Sequence, residues 1–149
     1  MESQFYTVKT FINMEKGYYT PEKKEFHLGF IYHEKVGDKL EAFCVDTFND
    51  IPTEQCFDSD IIRVKYLNCN DMERLGFANW KTGNEHANFN ECSKSVNERQ
   101  YLCLRSYDDG DIKIFTMCKE NINRQWDHFY GKIKNISELR TILCQIGHE

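Results

Sequence analysis

The sequence contains a series of short segments in which apolar and polar residues alternate, and these segments limit the folds that the chain can adopt. Alternation with a period of two places every second side chain on one face of a half-buried strand. The pattern is present in Phe26–Tyr32, Ile61–Leu67 and Asp111–Cys118, and further strands are predicted at Leu40–Val45, Tyr101–Ser106 and Trp126–Ile133. Aromatic residues make up 14% of the chain, and their flat rings suit a pleated surface. We therefore predict a fold built mainly from strands.

Turn residues between these segments indicate how neighbouring strands are connected. Gly37–Asp38 separates the first two segments, and Asp108–Gly110 separates two later ones. Short connections of this composition are typical of hairpins, so we expect antiparallel pairing. Residues 5–14 fit either a helix face or a strand, and their β-branched and aromatic side chains favour the strand. Another strand is expected to start within residues 77–80.

A short helix and a long loop are predicted in the middle of the chain. Asn70 is a suitable helix cap, Glu73 lies in the first turn, and Gly76 can adopt the left-handed conformation that ends a helix. Residues 81–98 are strongly polar and show no periodicity, so they are predicted to form a long loop.

The last predicted element is a helix with one apolar face. Asn135 or Ser137 caps it, Glu138 lies in its first turn, and Gly147 ends it. The residues that follow the i, i+3, i+4, i+7 spacing of an apolar helix face are Leu139, Ile142, Leu143 and Ile146. We therefore predict a single α+β domain over residues 1–149. It has an antiparallel sheet of about six to seven strands, one short internal helix, and a C-terminal helix packed on one face.

The charge balance argues against a nucleic-acid-binding protein. The chain has 24 acidic and 19 basic residues, a net charge of −5. Proteins that grip a phosphate backbone cluster lysine and arginine, but the longest basic run here is Lys23–Lys24, which Glu22 and Glu25 flank. A basic protein partner fits this charge better than a nucleic acid does. The alternative is that the mild acidity only keeps the protein soluble. No apolar run approaches the ~18 residues of a membrane span.

The cysteines predict a reducing compartment. The chain has seven of them, an odd number, and no Cys-x-x-Cys pair. The first residues lack the basic and apolar regions of a secretory signal. We therefore expect thiols rather than disulfides, and a cytoplasmic location.

No catalytic or cofactor-binding pattern is present. The phosphate-loop patterns GxxxxGK and GxGxxG are absent, and no cysteines and histidines have zinc-finger spacing. We therefore expect no catalytic residues, no metal and no cofactor. The alternative is a small metal-dependent nuclease or hydrolase that uses His27, His33, His128 and a carboxylate such as Asp46.

Two segments resemble parts of small phage and prophage proteins. Residues 61–77 run from a strand through Asn-Asp-Met-Glu-Arg-Leu-Gly-Phe. Residues 129–147 run from a strand ending in Gly through Ile-Lys-Asn-Ile-Ser-Glu-Leu into a helix that ends in Gly. The resemblance implies a mobile-element protein that works in the cytoplasm of a bacterial host. Small acidic proteins of that origin often inhibit host defence factors such as CRISPR effectors, either the nuclease or its RNA complex.

We therefore predict a non-enzymatic inhibitor that binds a host defence protein. Aromatic anchors would supply affinity and carboxylates would steer the protein to a basic surface. The residues predicted to contact the partner are Trp80, Phe89, Asp108, Asp109 and Asp111. A role in the hydrophobic core is the alternative for Trp80. A structural or accessory phage protein is the alternative for the whole chain.

Overall fold

The computed structural model describes residues 17–83 and 89–148. Its strands are Tyr18–Tyr19 (β1), Ile31–Val36 (β2), Lys39–Cys44 (β3), Ile62–Lys65 (β4), Ala78–Thr82 (β5), Phe89–Ser95 (β6), Gln100–Tyr107 (β7), Ile112–Cys118 (β8) and Gln125–Gly131 (β9). Its α-helices are Glu54–Asp58 (α1), Cys69–Arg74 (α2) and Ile136–Gln145 (α3). The strand predicted within residues 5–14 lies outside the described residues.

The strands form two antiparallel sheets, so the prediction of a single sheet is wrong. One sheet has four strands in the order β1-β4-β2-β3, and the other has five in the order β5-β6-β7-β8-β9. The difference arises because α2 follows β4, and the chain then begins a second set of pairings instead of extending the first. The α+β class is confirmed, as are the β2–β3 and β7–β8 hairpins.

Helix α3 covers one face of the five-stranded sheet, as its apolar spacing predicts. Leu139 and Leu143 are buried, and Ile142 and Ile146 are partly buried beside them. The sheet residues of this core are Cys92, Leu102, Leu104, Ile112 and Ile114. Burial of these side chains stabilises the packing of helix on sheet.

The four-stranded sheet has a second apolar core on one of its faces. The buried residues of this core are Phe26, Phe30, Tyr32, Val45, Ile62 and Val64. The sheet is also tied to the start of α3, because the N–H of Ile31 donates to Ser137 Oγ at 3.1 Å. The N–H of Leu67 donates to the carbonyl oxygen of Lys134 at 2.8 Å. The start of α3 therefore lies against the four-stranded sheet, while Leu139 and Leu143 pack on the five-stranded one.

The short helix exists, but its predicted cap is wrong. Asn68, not Asn70, caps α2, because Asn68 Oδ1 accepts the N–H of Asp71 and the Asp71 carboxylate accepts the N–H of Asn68, both at 3.1 Å. Gly76 follows the helix with φ of +88°, in the left-handed conformation that was predicted. At α3 the cap is Asn135, the first of the two predicted caps.

The first predicted strand is displaced along the chain. Strand β2 begins at Ile31, whereas Phe26 and Phe30 precede it, although both are buried. Gly29 has φ of +84°, which a regular strand cannot contain, and its N–H donates to the carbonyl oxygen of Val45 at 2.7 Å. The alternation therefore predicted the burial of Phe26, Phe30 and Tyr32 correctly, but it was wrong for Leu28, which is 49% exposed beside the turn at Gly29.

The long loop predicted over residues 81–98 is wrong, because β6 lies within it and pairs with both β5 and β7. Residues 84–88 lie outside the described ranges. The buried polar residues of β6 are Asn90, Glu91 and Ser93. The carboxylate of Glu91 lies 2.7 Å from Arg105 Nη2 and 3.4 Å from Lys81 Nζ. Paired charge of this kind allows a polar segment to be buried as a strand.

Candidate functional site

The turn between β7 and β8 carries the three aspartates predicted to contact a partner. Asp108 and Asp109 are exposed at the tip, and Asp111 precedes β8. Two backbone hydrogen bonds close the turn. The N–H of Gly110 donates to the carbonyl oxygen of Tyr107 at 3.0 Å, and the N–H of Tyr107 donates to the carbonyl oxygen of Asp111 at 2.9 Å. Asp109 Oδ1 also accepts the N–H of Asp111 at 2.9 Å. These bonds fix the backbone of the turn and the position of the Asp109 carboxylate.

Lys132, which follows β9, contributes one positive charge to this turn. Its Nζ lies 2.9 Å from Asp111 Oδ1 and 2.6 Å from the carbonyl oxygen of Asp109. The hydrogen bond from Lys132 lowers the pKa of the Asp111 carboxyl. The turn carries three carboxylates and is contacted by one ammonium group, so it keeps a net negative charge.

Aromatic side chains lie beside the acidic turn. Tyr130 in β9 is 61% exposed, and its ring centre is 6.0 Å from that of Tyr107. Phe89 lies directly opposite Tyr107 in the β6–β7 pairing, and the guanidinium of Arg105 is 4.3 Å from the Phe89 ring centre. Desolvation and the charge of Asp111 raise the pKa of Tyr130, so its phenol stays protonated and can donate a hydrogen bond. We call Phe89, Tyr107, Asp108, Asp109, Asp111 and Tyr130 together the turn surface.

Trp80, the other predicted anchor, lies outside the turn surface. It is in β5, at the edge of the five-stranded sheet opposite to β9. Its side chain is partly buried and packs against the core beneath α3. The structure therefore brings Phe89 together with the three aspartates, and gives Trp80 the core position that the sequence left open as its alternative.

A second candidate site, which no sequence pattern indicated, is a cleft between the four-stranded sheet and helices α2 and α3. Its volume is about 350 Å³. Apolar side chains from both sides form part of its wall, namely Ile31, Ala42, Leu75 and Ile136. A cleft of this volume is at the lower end of the range for small-molecule sites.

Positive charge converges on the cleft from three elements. Lys65 comes from β4, Arg74 from the last turn of α2, and Arg140 from α3. Asp71 offsets Lys65, with 3.2 Å between Oδ1 and Nζ. The guanidiniums of Arg74 and Arg140 have no ion-pair partner within residues 17–83 and 89–148. With three cations and one carboxylate, the lining has a net charge of plus two. These cations are far apart in sequence, which is why no local motif revealed them.

His33 also lines the cleft, and its ring meets that of Tyr18 edge-on with 5.2 Å between the ring centres. Its Nδ1 atom is buried and has no hydrogen-bond partner among the residues that the structure describes. Burial, together with the charge of Lys65, lowers the pKa of this imidazole. The ring is therefore neutral at pH 7, and the charge of the cleft comes from lysine and arginine.

The residues of the enzymatic alternative lie on separate elements. His27 precedes β2, Asp46 follows β3, and His33 is in the cleft. His128 lies in β9, within hydrogen-bonding distance of Thr116. Within the described ranges, no group of three or more histidine, cysteine or acidic side chains is arranged to hold a metal ion.

All seven cysteines lie in the described ranges, and none of them is joined in a disulfide there. Burial raises the pKa of the Cys103 thiol to about 12, so this thiol stays protonated at neutral pH. In the described part of the chain, no helix combines the length and apolar character needed to cross a bilayer.

Comparison of the chain with protein-family models, curated proteins and solved structures gave no match.

Proposed function

We propose that this protein is a non-catalytic binding protein that docks on a basic surface of another protein through the turn surface. The observation that most supports this function is the placement of three aspartates beside Tyr130 and Tyr107 at one end of the five-stranded sheet. Carboxylates steer a protein towards a basic partner, and exposed aromatic rings supply affinity once contact is made.

The turn surface is suited to binding because its geometry is set before contact. Backbone hydrogen bonds close the turn at Tyr107 and Gly110, and Asp109 bonds the backbone of Asp111. Tyr130 is held on β9, which pairs with β8 throughout the strand apart from one register shift. A surface that is ordered beforehand loses less conformational entropy on binding.

The proposed partner is a host defence protein of a bacterium, such as a CRISPR effector nuclease or its RNA complex. The resemblance of residues 61–77 and 129–147 to phage proteins supports this class of partner, and it also supports the bacterial cytoplasm as the location. Nucleic-acid-binding proteins present clustered lysine and arginine, which an acidic surface can occupy. In this function the protein acts by occlusion, without turnover and without contacting nucleic acid or membrane.

The test is affinity capture from bacterial lysate with the purified protein, read by quantitative mass spectrometry. A partner that binds the turn surface should be retained by the wild-type chain. It should be lost from the variant that combines Asp108→Asn and Asp109→Asn. Asparagine keeps the side-chain oxygen that accepts the N–H of Asp111, so the turn retains its bond while two charges are removed.

The matched control removes the same charge elsewhere, by Glu41→Gln in β3 combined with Asp58→Asn in α1. Both side chains are exposed. The control variant is expected to capture the same partner as the wild-type chain. For the purified pair, the turn variant should slow association more than it speeds dissociation, and added salt should reduce the difference. Equal loss of capture in both variants would mean that net charge, rather than the turn surface, governs binding.

A further inference from the structure

We propose that the cleft is a binding site for a small phosphate monoester, with Arg74 and Arg140 as its phosphate ligands. This site is separate from the turn surface and does not depend on the function proposed for that surface. The cleft is formed by the four-stranded sheet, α2 and α3. The turn surface lies on the five-stranded sheet, at the β7–β8 hairpin and the strands beside it.

The charge of the cleft matches that of a phosphate monoester. The chain as a whole has a net charge of −5, yet the cleft lining has a positive charge of two. Lys65 already has a partner in Asp71, while Arg74 and Arg140 have none within the described ranges. A phosphate monoester carries a charge of about −1.5 to −2 near neutral pH, and a carboxylate carries only one. The charge of the two guanidiniums is therefore matched by a phosphate monoester and not by a single carboxylate.

The chemistry of guanidinium groups points the same way. Each presents a planar fork of donors that fits two oxygens of a phosphate at once. Arg74 lies in the last turn of α2 and Arg140 in α3, and both residues line the cleft and are exposed, so an entering anion can reach them. Both guanidiniums are exposed and have no ion-pair partner within the described ranges. A phosphate group would supply the ionised acceptor that they lack.

The apolar part of the wall indicates an ester rather than inorganic phosphate. Ile31, Leu75 and Ile136 offer a surface for a small ring or alkyl group, and the edge-on ring pair of Tyr18 and His33 adds aromatic area. The volume of about 350 Å³ suits a compact metabolite.

The test is calorimetric titration in a buffer without phosphate, with phenyl phosphate as the probe. Inorganic phosphate, benzenesulfonate and phenol are the comparison ligands. We expect phenyl phosphate to bind more tightly than inorganic phosphate, because of its ring, and more tightly than benzenesulfonate, because of its second charge. Phenol should not bind measurably.

The variants are Arg74→Gln and Arg140→Gln, with Arg99→Gln as the matched control. Arg99 is an exposed arginine in the connection between β6 and β7. Each cleft variant should weaken the binding of phenyl phosphate by about tenfold or more, the loss expected for a charged hydrogen bond, and the control should leave it unchanged. All three should keep the wild-type melting temperature.

Three results would overturn the proposal. They are the absence of phenyl phosphate binding, equal affinity for phenyl phosphate and inorganic phosphate, and equal weakening by Arg99→Gln and the cleft variants. Capture of a partner through the turn surface is measured independently, so failure here leaves that result intact.

Discussion

The turn surface and the cleft present opposite charges, and the fold builds them in different ways. The aspartates of the turn surface lie within four consecutive positions, Asp108 to Asp111, and one hairpin positions them. The cations of the cleft are Lys65, Arg74 and Arg140, which come from a strand and two helices. A site formed within one hairpin is visible in the sequence, whereas a site formed by distant elements becomes visible only in the structure.

The two regions also differ in how their charges are compensated. Lys132 neutralises part of the acidic turn from outside the hairpin, while Asp71 neutralises Lys65 inside the cleft. What remains at the turn is exposed negative charge beside aromatic rings. What remains in the cleft is a pair of guanidiniums beside an apolar wall. The first arrangement suits a protein surface, and the second suits a small anion.

The largest expected effect comes from the helix that supports the cleft. Leu143 is 1% exposed in the core between α3 and the five-stranded sheet. Leu143→Ala should lower the free energy of unfolding by about 2–5 kcal/mol, because it removes buried surface and leaves a cavity. Denaturant unfolding measures this change, and Gln145→Ala, on the exposed side of α3, should change it by less than about 0.5 kcal/mol. An unchanged midpoint for Leu143→Ala would contradict the packing of α3.

The next effect separates the turn surface from the cleft. Tyr130→Ala should weaken binding to the captured partner by about tenfold or more, because tyrosines that a partner buries are frequent interface hot spots. It should leave the melting temperature and the binding of phenyl phosphate unchanged. Phe48→Ala is the control, since Phe48 is 73% exposed and lies outside both sites. Loss of phenyl phosphate binding in the Tyr130 variant would show that the two regions are coupled.

A smaller effect concerns the pH dependence of stability. Burial lowers the pKa of His33, so the unfolded chain takes up a proton at a higher pH than the folded chain does. The stabilising contribution of the neutral ring is complete above the unfolded pKa of about 6.5, and is lost as pH falls towards the folded pKa. His33→Gln should therefore reduce the loss of unfolding free energy between about pH 7.5 and 5.5.

Urea titrations at several pH values test this prediction. His27→Gln, which removes an exposed imidazole before β2, is the control and should lose stability with falling pH as the wild-type chain does. An identical pH dependence in the wild-type chain and in His33→Gln would mean that burial of His33 has no energetic consequence.

The smallest effect is confined to the acidic turn. Lys132 lowers the pKa of Asp111 through a hydrogen bond, so Lys132→Gln should raise that pKa towards its ordinary value. Because Lys132 is exposed and Asp111 is only partly buried, the melting temperature at pH 7 should not change measurably. A carboxyl-carbon NMR titration measures the shift, and an Asp111 pKa that is the same in both proteins would show that the contact is absent in solution.

The residues explain which parts of the fold could be predicted. The β7–β8 hairpin and α3 were predictable because turn residues and the spacing of Leu139 and Leu143 are local signals. Strand β6 was missed because its buried Glu91 looks solvent-exposed in sequence, and its partner Arg105 lies on another strand. The division into two sheets depends on long-range pairing of β4 with β1 and β2, which has no local signal.

The same reasoning applies to the candidate sites. Acidic residues at a predicted turn were expected to be exposed, and the structure exposes Asp108 and Asp109. Tyr130 was not among the predicted anchors, because its position beside Tyr107 depends on the pairing of β9 with β8. The cleft could not be predicted, because its cations meet only after the four-stranded sheet and helices α2 and α3 have packed together.

The central claim, stoichiometric binding without turnover, is tested most directly by titrating the activity of the captured partner with this protein. Inhibition should saturate near one equivalent, persist in the presence of a chelator, and weaken when Asp108→Asn and Asp109→Asn are combined. Complete inhibition at far below one equivalent, with a product that accumulates over time, would contradict the claim and establish an enzyme.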